Sequence, residues 1–192
     1  MLTINERPPA FASRAVGIVE GRLALTPANG ENTAELHTDD GTAIPCFVQT
    51  KARQTIMADM TMLTSKVRCL AYPRTRRTLL ELAIVDVELV AEGERSPQND
   101  LFLIQGMNIG SRRPGYSQIG IRPNQKSHHK FERFWLTLKG HLTDNLNVVY
   151  QVRAVRKGRR LFIVESDPQL PKQCSPKRVE TPRERARTII RR

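Results

Sequence analysis

An apolar strand, an arginine-rich turn and a second apolar strand occur twice in this chain, and that repeat constrains the fold more than any other feature. The first copy is Val67-Arg68-Cys69-Leu70-Ala71-Tyr72, Pro73-Arg74-Thr75-Arg76-Arg77-Thr78 and Leu79-Leu80-Glu81-Leu82-Ala83-Ile84-Val85. The second is Val148-Val149-Tyr150-Gln151-Val152-Arg153-Ala154-Val155, Arg156-Lys157-Gly158-Arg159-Arg160 and Leu161-Phe162-Ile163-Val164. A hairpin turn that meets only water is better served by Gly, Asn or Asp. Two cationic tips at matching places therefore predict two copies of one β-unit facing a polyanion.

Charge divides the chain in the same way. Its 192 residues allow one large domain or two small ones, and the net charge is +12. Residues 1–100 carry 11 Lys and Arg against 13 Asp and Glu, a net of −2, whereas residues 101–192 carry 20 against 6, a net of +14. The asymmetry predicts that the second half meets phosphate while the first does something else. The three cysteines, Cys46, Cys69 and Cys174, form no Cys-x-x-Cys pair, which argues against structural zinc and fits a reducing compartment. The first residues lack the apolar core of a signal peptide, and no run approaches the ~18–20 apolar residues of a membrane span. The expectation is a cytoplasmic protein with no membrane partner.

Along the chain, residues 1–13 read as a flexible arm. In a first unit, 14–91, strands are predicted at 15–25, 34–38 and 44–48, with Asp39-Asp40-Gly41-Thr42 as a hairpin turn. Pro45 assigns the third of these to an edge or a strand start. Ile56, Met57, Met60 and Leu63 recur at helical spacing, so a short helix is predicted within 51–65. The first Arg hairpin completes the unit. A polar linker, 92–100, leads to a second unit, 101–170. Its strands are expected at 101–106, 116–121 and 134–140, and a long polar insert at 123–130 separates the last two. Gly140 to Asn147 is too short to hold a helix before the second Arg hairpin. Gly21 and Gly106 end similar strands, where a tight barrel needs to bend. Residues 171–192 carry eight Lys and Arg against two Glu and read as a basic disordered tail.

Three strands, a helix and two strands, nearly repeated, resemble the order of tandem OB-fold nucleic-acid-binding proteins over residues 14–167. The resemblance implies a mainly β chain of two small five-stranded barrels, with the short helix only in the first. In that family the face of strands two and three, with the loops joining strands one–two and four–five, tends to hold the ligand. The matching positions are the two Arg turns, Arg112-Arg113-Pro114-Gly115-Tyr116 and the Trp135 strand. The phrases Arg14-Ala15-Val16-Gly17-Ile18-Val19-Glu20-Gly21 and Tyr72-Pro73-Arg74-Thr75-Arg76 also resemble segments of uncharacterised cyanobacterial proteins, a likeness that implies no activity.

Binding a polynucleotide needs several cations along one groove and aromatic faces on which bases stack. The first turn offers Arg74, Arg76 and Arg77. The second offers Arg156, Lys157, Arg159 and Arg160, with Arg153 on the strand before it. Between them come Arg112, Arg113, Tyr116 and Arg122, then Lys126, Lys130, Phe131, Arg133 and Trp135. Alternation points Phe134 and Leu136 one way and Trp135 the other, leaving Trp135 either a stacking platform or the core anchor of its barrel. Glu20, Glu35, Asp39, Asp40, Asp86 and Glu88 would repel phosphate, so the first unit is expected to dock a protein or pair with a second copy. Asp39-Asp40 with His37 offers the only nuclease-like carboxylate pair, but these residues are ordinary in a hairpin turn. His128 and His129, being adjacent, would face opposite sides of a strand. No catalytic residue, metal ligand or cofactor motif is therefore assigned. The expected function is non-catalytic binding of RNA or single-stranded DNA, the rival being a protein–protein adaptor or subunit of a larger nucleoprotein complex.

Overall fold

Buried and exposed residues alternate along most of the strands, and ten strands result. The computed structural model describes Leu2 and residues 14–26, 32–111, 113–121, 134–143 and 146–169. In chain order the elements are β1 (Arg14–Leu25), β2 (Thr33–His37), β3 (Ala43–Val48), α1 (Thr50–Ala58), a single 3-10 turn (Met60–Leu63), β4 (Lys66–Arg76), β5 (Leu79–Leu89), β6 (Leu101–Gly110), β7 (Tyr116–Ile121), β8 (Phe134–Lys139), β9 (Val149–Lys157) and β10 (Arg160–Gln169).

Their pairings close two barrels of one topology. In the first, β1 pairs β2, β2 pairs β3, β3 runs parallel to β5, β5 pairs β4, and β4 returns to β1. In the second, β6, β7, β8, β10 and β9 repeat that circuit, with β8 parallel to β10. Each is the five-stranded OB barrel. Pro45 tolerates an interior strand because its partner on one side is Glu35 of β2, while pairing with β5 begins only at Cys46. Gly21 and Gly106 are required by close approach. A Cβ would lie 2.5 Å from the His37 carbonyl oxygen in the first case and 2.5 Å from Ile119 Cγ2 in the second.

The barrels share a sheet. Arg14 to Gly17 of β1 pair antiparallel with Gln105 to Phe102 of β6. Gly17 stands opposite Phe102, and a Cβ on it would lie 2.2 Å from the Phe102 ring. Strand one of each barrel thus lies against its counterpart, giving a pseudo-two-fold relation between the repeats.

The two barrels are plugged differently. Ala52 and Ile56 of α1, with Met62 of the 3-10 turn, are buried against the first. The expected helix breaks at Asp59, whose carboxylate accepts the Thr61 backbone N–H; Met57 lies off the Ala52–Ile56 side of α1, and both it and Met60 are exposed. In the second barrel Leu142 is buried instead. The Ser117 hydroxyl holds that segment by donating to Gly140 O and accepting from Leu142 N.

The predicted turns are shorter than expected. Pro73 to Arg76 belong to β4, and only Arg77 and Thr78 form the first turn. Arg156 and Lys157 belong to β9, and Gly158 and Arg159 form the second. Arg77 (φ 62°) and Gly158 (φ 57°) supply the left-handed residue that a two-residue hairpin needs. Segment 92–100 lies on the first barrel: Glu20 N donates to Asn99 Oδ1, Ser96 N to Glu20 Oε1, and Asp100 N to Ile18 O.

Candidate nucleic-acid interface

The outward face of β7 and β8 is set by pleat. Leu136 and Leu138 fill the barrel, so Trp135, Thr137 and Lys139 point away from its core, opposite Gly120, Gln118 and Tyr116 of β7, with Thr137 itself buried between the two exposed residues. Trp135 is 47% exposed, and Phe134 packs against the core. Trp135 is therefore not the core anchor of its barrel. Its ring lies over Gly120, where a Cβ would stand 3.0 Å from Cζ3. A bare glycine backbone leaves room for this close approach of the indole.

The next strand extends this surface. Phe162 of β10 is the register partner of Lys139. Lys139 Nζ lies 5.1 Å and Lys157 Nζ 5.5 Å from the centre of its ring, within cation–π range. Trp135 and Lys139 are four residues apart, roughly 13 Å along the strand. The face therefore carries an aromatic at each end with two lysines at one of them. Phe162 and Lys139 were not singled out from sequence. Strict alternation after the buried Leu161 was the signal that could have found Phe162.

The two Arg hairpins converge at the seam between barrels. Thr75 Oγ donates to Trp135 O at 3.3 Å and accepts from Thr137 N at 2.9 Å. β10 pairs β8 only at Lys139, so Thr75 satisfies the β8 edge that β10 leaves open. Reciprocally, Leu80 N donates to Arg159 O at 2.9 Å. Arg74, Arg76 and Arg77 are exposed and have no ion-pair partner among the described residues.

Arg156 corrects an expectation. It is only 5% exposed, too buried to meet a polymer. Its Nε and Nη2 bond both oxygens of Asp100, and its Nη1 bonds Asp40 Oδ2 at 3.0 Å. Burial acts against its charge, but Asp100 and Asp40 raise its pKa above the usual guanidinium value. Arg156 clamps the second barrel to the β2–β3 turn of the first. Partial burial likewise opposes ionisation of Asp40, yet hydrogen bonds from Thr38, Thr42 and Arg156 hold its carboxyl well below the usual range.

The remaining predicted residues divide clearly. Lys157 and Arg160 are exposed at the turn, Arg159 is half-buried, and Arg153 forms an exposed pair with Glu165 at 3.2 Å. Arg113 is exposed and Tyr116 half-buried at the start of β7. Arg112, Arg122, Lys126, Lys130, Phe131 and Arg133 lie outside the described residues, as do His128, His129 and the tail. The acids of the first barrel are largely engaged. Arg68, 1% exposed, bonds Glu20, Glu88 and Glu94, while Lys66 pairs with Asp39 and Lys51 with Asp86. Burial pushes the Cys46 thiol up to about 12, in keeping with a packing role. No group of three or more His, Cys, Asp or Glu able to hold a metal occurs among the described residues, nor does a helix long and apolar enough to cross a membrane.

Among solved structures, the chain is similar to a deletion mutant of the single-stranded DNA binding protein from Thermus aquaticus. The two are 8% identical with a TM-score of 0.53, and the match covers 86% of this chain and 99% of that one. At this identity the likeness establishes a shared fold. No family model matches the chain, and no curated protein matches it in sequence, so the cyanobacterial likeness gains no support.

Proposed function

We propose that this protein binds single-stranded nucleic acid, without catalysing a reaction on it, across the outward face of β7, β8 and β10. The observation that carries this reading is Trp135, an exposed indole on the third strand of an OB barrel, seated on Gly120 and followed by Lys139, Phe162 and Lys157. Bases stack on the aromatic faces for about 1–3 kcal/mol each, while the lysines neutralise phosphates and release counterions. Stacking tolerates any base, so sequence preference is weak. The shared fold with a single-stranded DNA binding protein supports the same reading, as does the net charge of +14 over residues 101–192.

Fluorescence anisotropy with labelled single-stranded DNA, single-stranded RNA and duplex DNA across a salt series tests it. Single-strand binding with a steep salt slope, retained after deletion of 171–192, is the expected result. Binding that vanishes with the tail removes the barrel face from the account. For the first barrel, the exposed Phe47, Met57 and Met60 favour contact with a protein. Substituting all three by Ser would then abolish capture of that partner while leaving polynucleotide affinity intact.

A further inference from the structure

The last strands of the two barrels bulge at the same place. In β5, Val85 is the extra residue between Ile84, opposite Ala71, and Asp86, opposite Leu70. In β10, Val164 is the extra residue between Ile163, opposite Ala154, and Glu165, opposite Arg153. Val85 therefore matches Val164, and Asp86 matches Glu165. The first bulge has α1 beside it. Gln49 N donates to Ile84 O at 2.9 Å, Lys51 pairs with Asp86, and Ala52 and Ile56 are buried. Val85 is half-buried there. The second bulge is bare by comparison: Val164 is 60% exposed, and Glu165 pairs with Arg153 at the surface. Leu142 plugs this barrel, but among the described residues no helix lies in it.

The sequence after β10 holds a match for α1. Within α1 the chain reads Lys51-Ala52-Arg53-Gln54-Thr55-Ile56, and further on it reads Arg185-Ala186-Arg187-Thr188-Ile189-Ile190. In both, a cation, an alanine and an arginine are followed by isoleucine four residues after the alanine, the spacing of neighbours on one helix face. Ahead of the second copy, Thr181, Pro182 and Glu184 have the order of a helix start: a capping threonine, proline at the first position, and a glutamate three residues after the cap. Arg185 stands where Lys51 stands, and Lys51 meets the acid that matches Glu165. Reach is ample. The eleven residues 170–180 extend up to roughly 36 Å, and Glu165 lies about 13 Å back along β10 from Gln169. We infer that residues 181–192 dock on the β10 bulge of the second barrel as a helix, as α1 does on β5 of the first. Ala186 and Ile190 would cover Val164 outside the core that Leu142 already closes, and Arg185 would pair with Glu165. The inference is independent of what the neighbouring face binds.

Backbone NMR of the full chain tests the inference through carbon chemical shifts and heteronuclear NOEs, which report fast local motion. A lone helix this short is marginal in water, so order in it reports docking. Residues 183–190 should show helical shifts and NOEs close to those of the barrel strands. Val164→Lys, a change at an exposed site, should return them to free-chain values. Arg185→Glu should loosen the segment in part, and adding Glu165→Lys to it should restore the order. The barrel resonances of each variant serve as the control for folding. Free-chain values for 183–190 in the wild type would overturn the inference. An ordered segment indifferent to Val164→Lys and to the charge exchange would overturn it too, because the helix would then rest elsewhere.

Discussion

Phe47 and Trp135 are alike in type and exposure, lie at opposite ends of their strands, and differ in surroundings. Each is a large aromatic on the third strand of its barrel, 49% and 47% exposed respectively. Phe47 shares its outward face with Glu35 and the Glu35–His37 pair of β2. Trp135 shares its face with Lys139 and, one strand on, with Phe162 under two lysines. The barrel architecture is therefore neutral about ligand, and the few residues on the outward rows decide it. One copy of the repeat sets Glu35 and His37 beside its exposed aromatic, and the other sets lysines there, on the face proposed above to take polynucleotide.

The seam supplies the largest expected effect. Thr75 and Arg156 occupy equivalent places, opposite Leu80 and Leu161 in their hairpins, and both reach the other barrel. Arg156→Met leaves Asp100 without its bidentate partner. The cost should be on the order of 2–3 kcal/mol, below that of a wholly buried pair because both carboxylates keep some water. Chemical denaturation of the two proteins measures it. Unchanged stability would show that the barrels are not held by this clamp.

Next come the two exposed aromatics. Trp135→Ala should weaken single-strand binding roughly 10- to 100-fold, the loss of one stacking platform. Phe47→Ala should change it by less than about 2-fold, within the range of ordinary surface substitutions. Equal losses from the two would break the distinction between the faces. A smaller effect belongs to Thr75→Val, which deprives Thr137 N and Trp135 O of their partner at a cost of about 1 kcal/mol. Differential scanning calorimetry should show a modest fall in melting temperature.

The smallest effect is one of pH. Because the Asp40 carboxyl is depressed in the folded state, its stabilising contribution is complete above the usual value near 3.8. It is lost as the pH falls through the folded value. Asp40→Asn should therefore be less stable than the wild type at neutral pH, with the gap narrowing in acid. A gap of constant size from neutral to strongly acidic pH would remove Asp40 from the seam.

Much of the fold was legible because it rests on local signals. The Asp-Asp-Gly turn, the alternating strands and the repeated Arg hairpins placed the strands within a few residues, and the resemblance in their order gave the barrel. The turn lengths were not legible, because a run of arginines has the composition of a loop, whereas Arg74 and Arg76 extend a strand on its exposed side. The site was legible only in part. Trp135 stood out by type, but its exposure depends on which face of β8 fills the barrel. Arg156 could not be separated from Lys157 in sequence, because its partners Asp40 and Asp100 lie 116 and 56 residues away. Phe162 was hidden by ordinary strand composition, since its two lysines come from β8 and from the end of β9.

Trp135 is the single tryptophan of the chain, so its fluorescence reports on the face directly. The decisive measurement is titration of the full-length protein with unlabelled oligothymidylate at low and at moderate salt, following that emission. Binding across this face predicts saturable quenching of the indole, with an apparent affinity that falls steeply as salt rises. Binding detected by anisotropy with the Trp135 emission unchanged would contradict the account, because the strand would then lie elsewhere on the molecule.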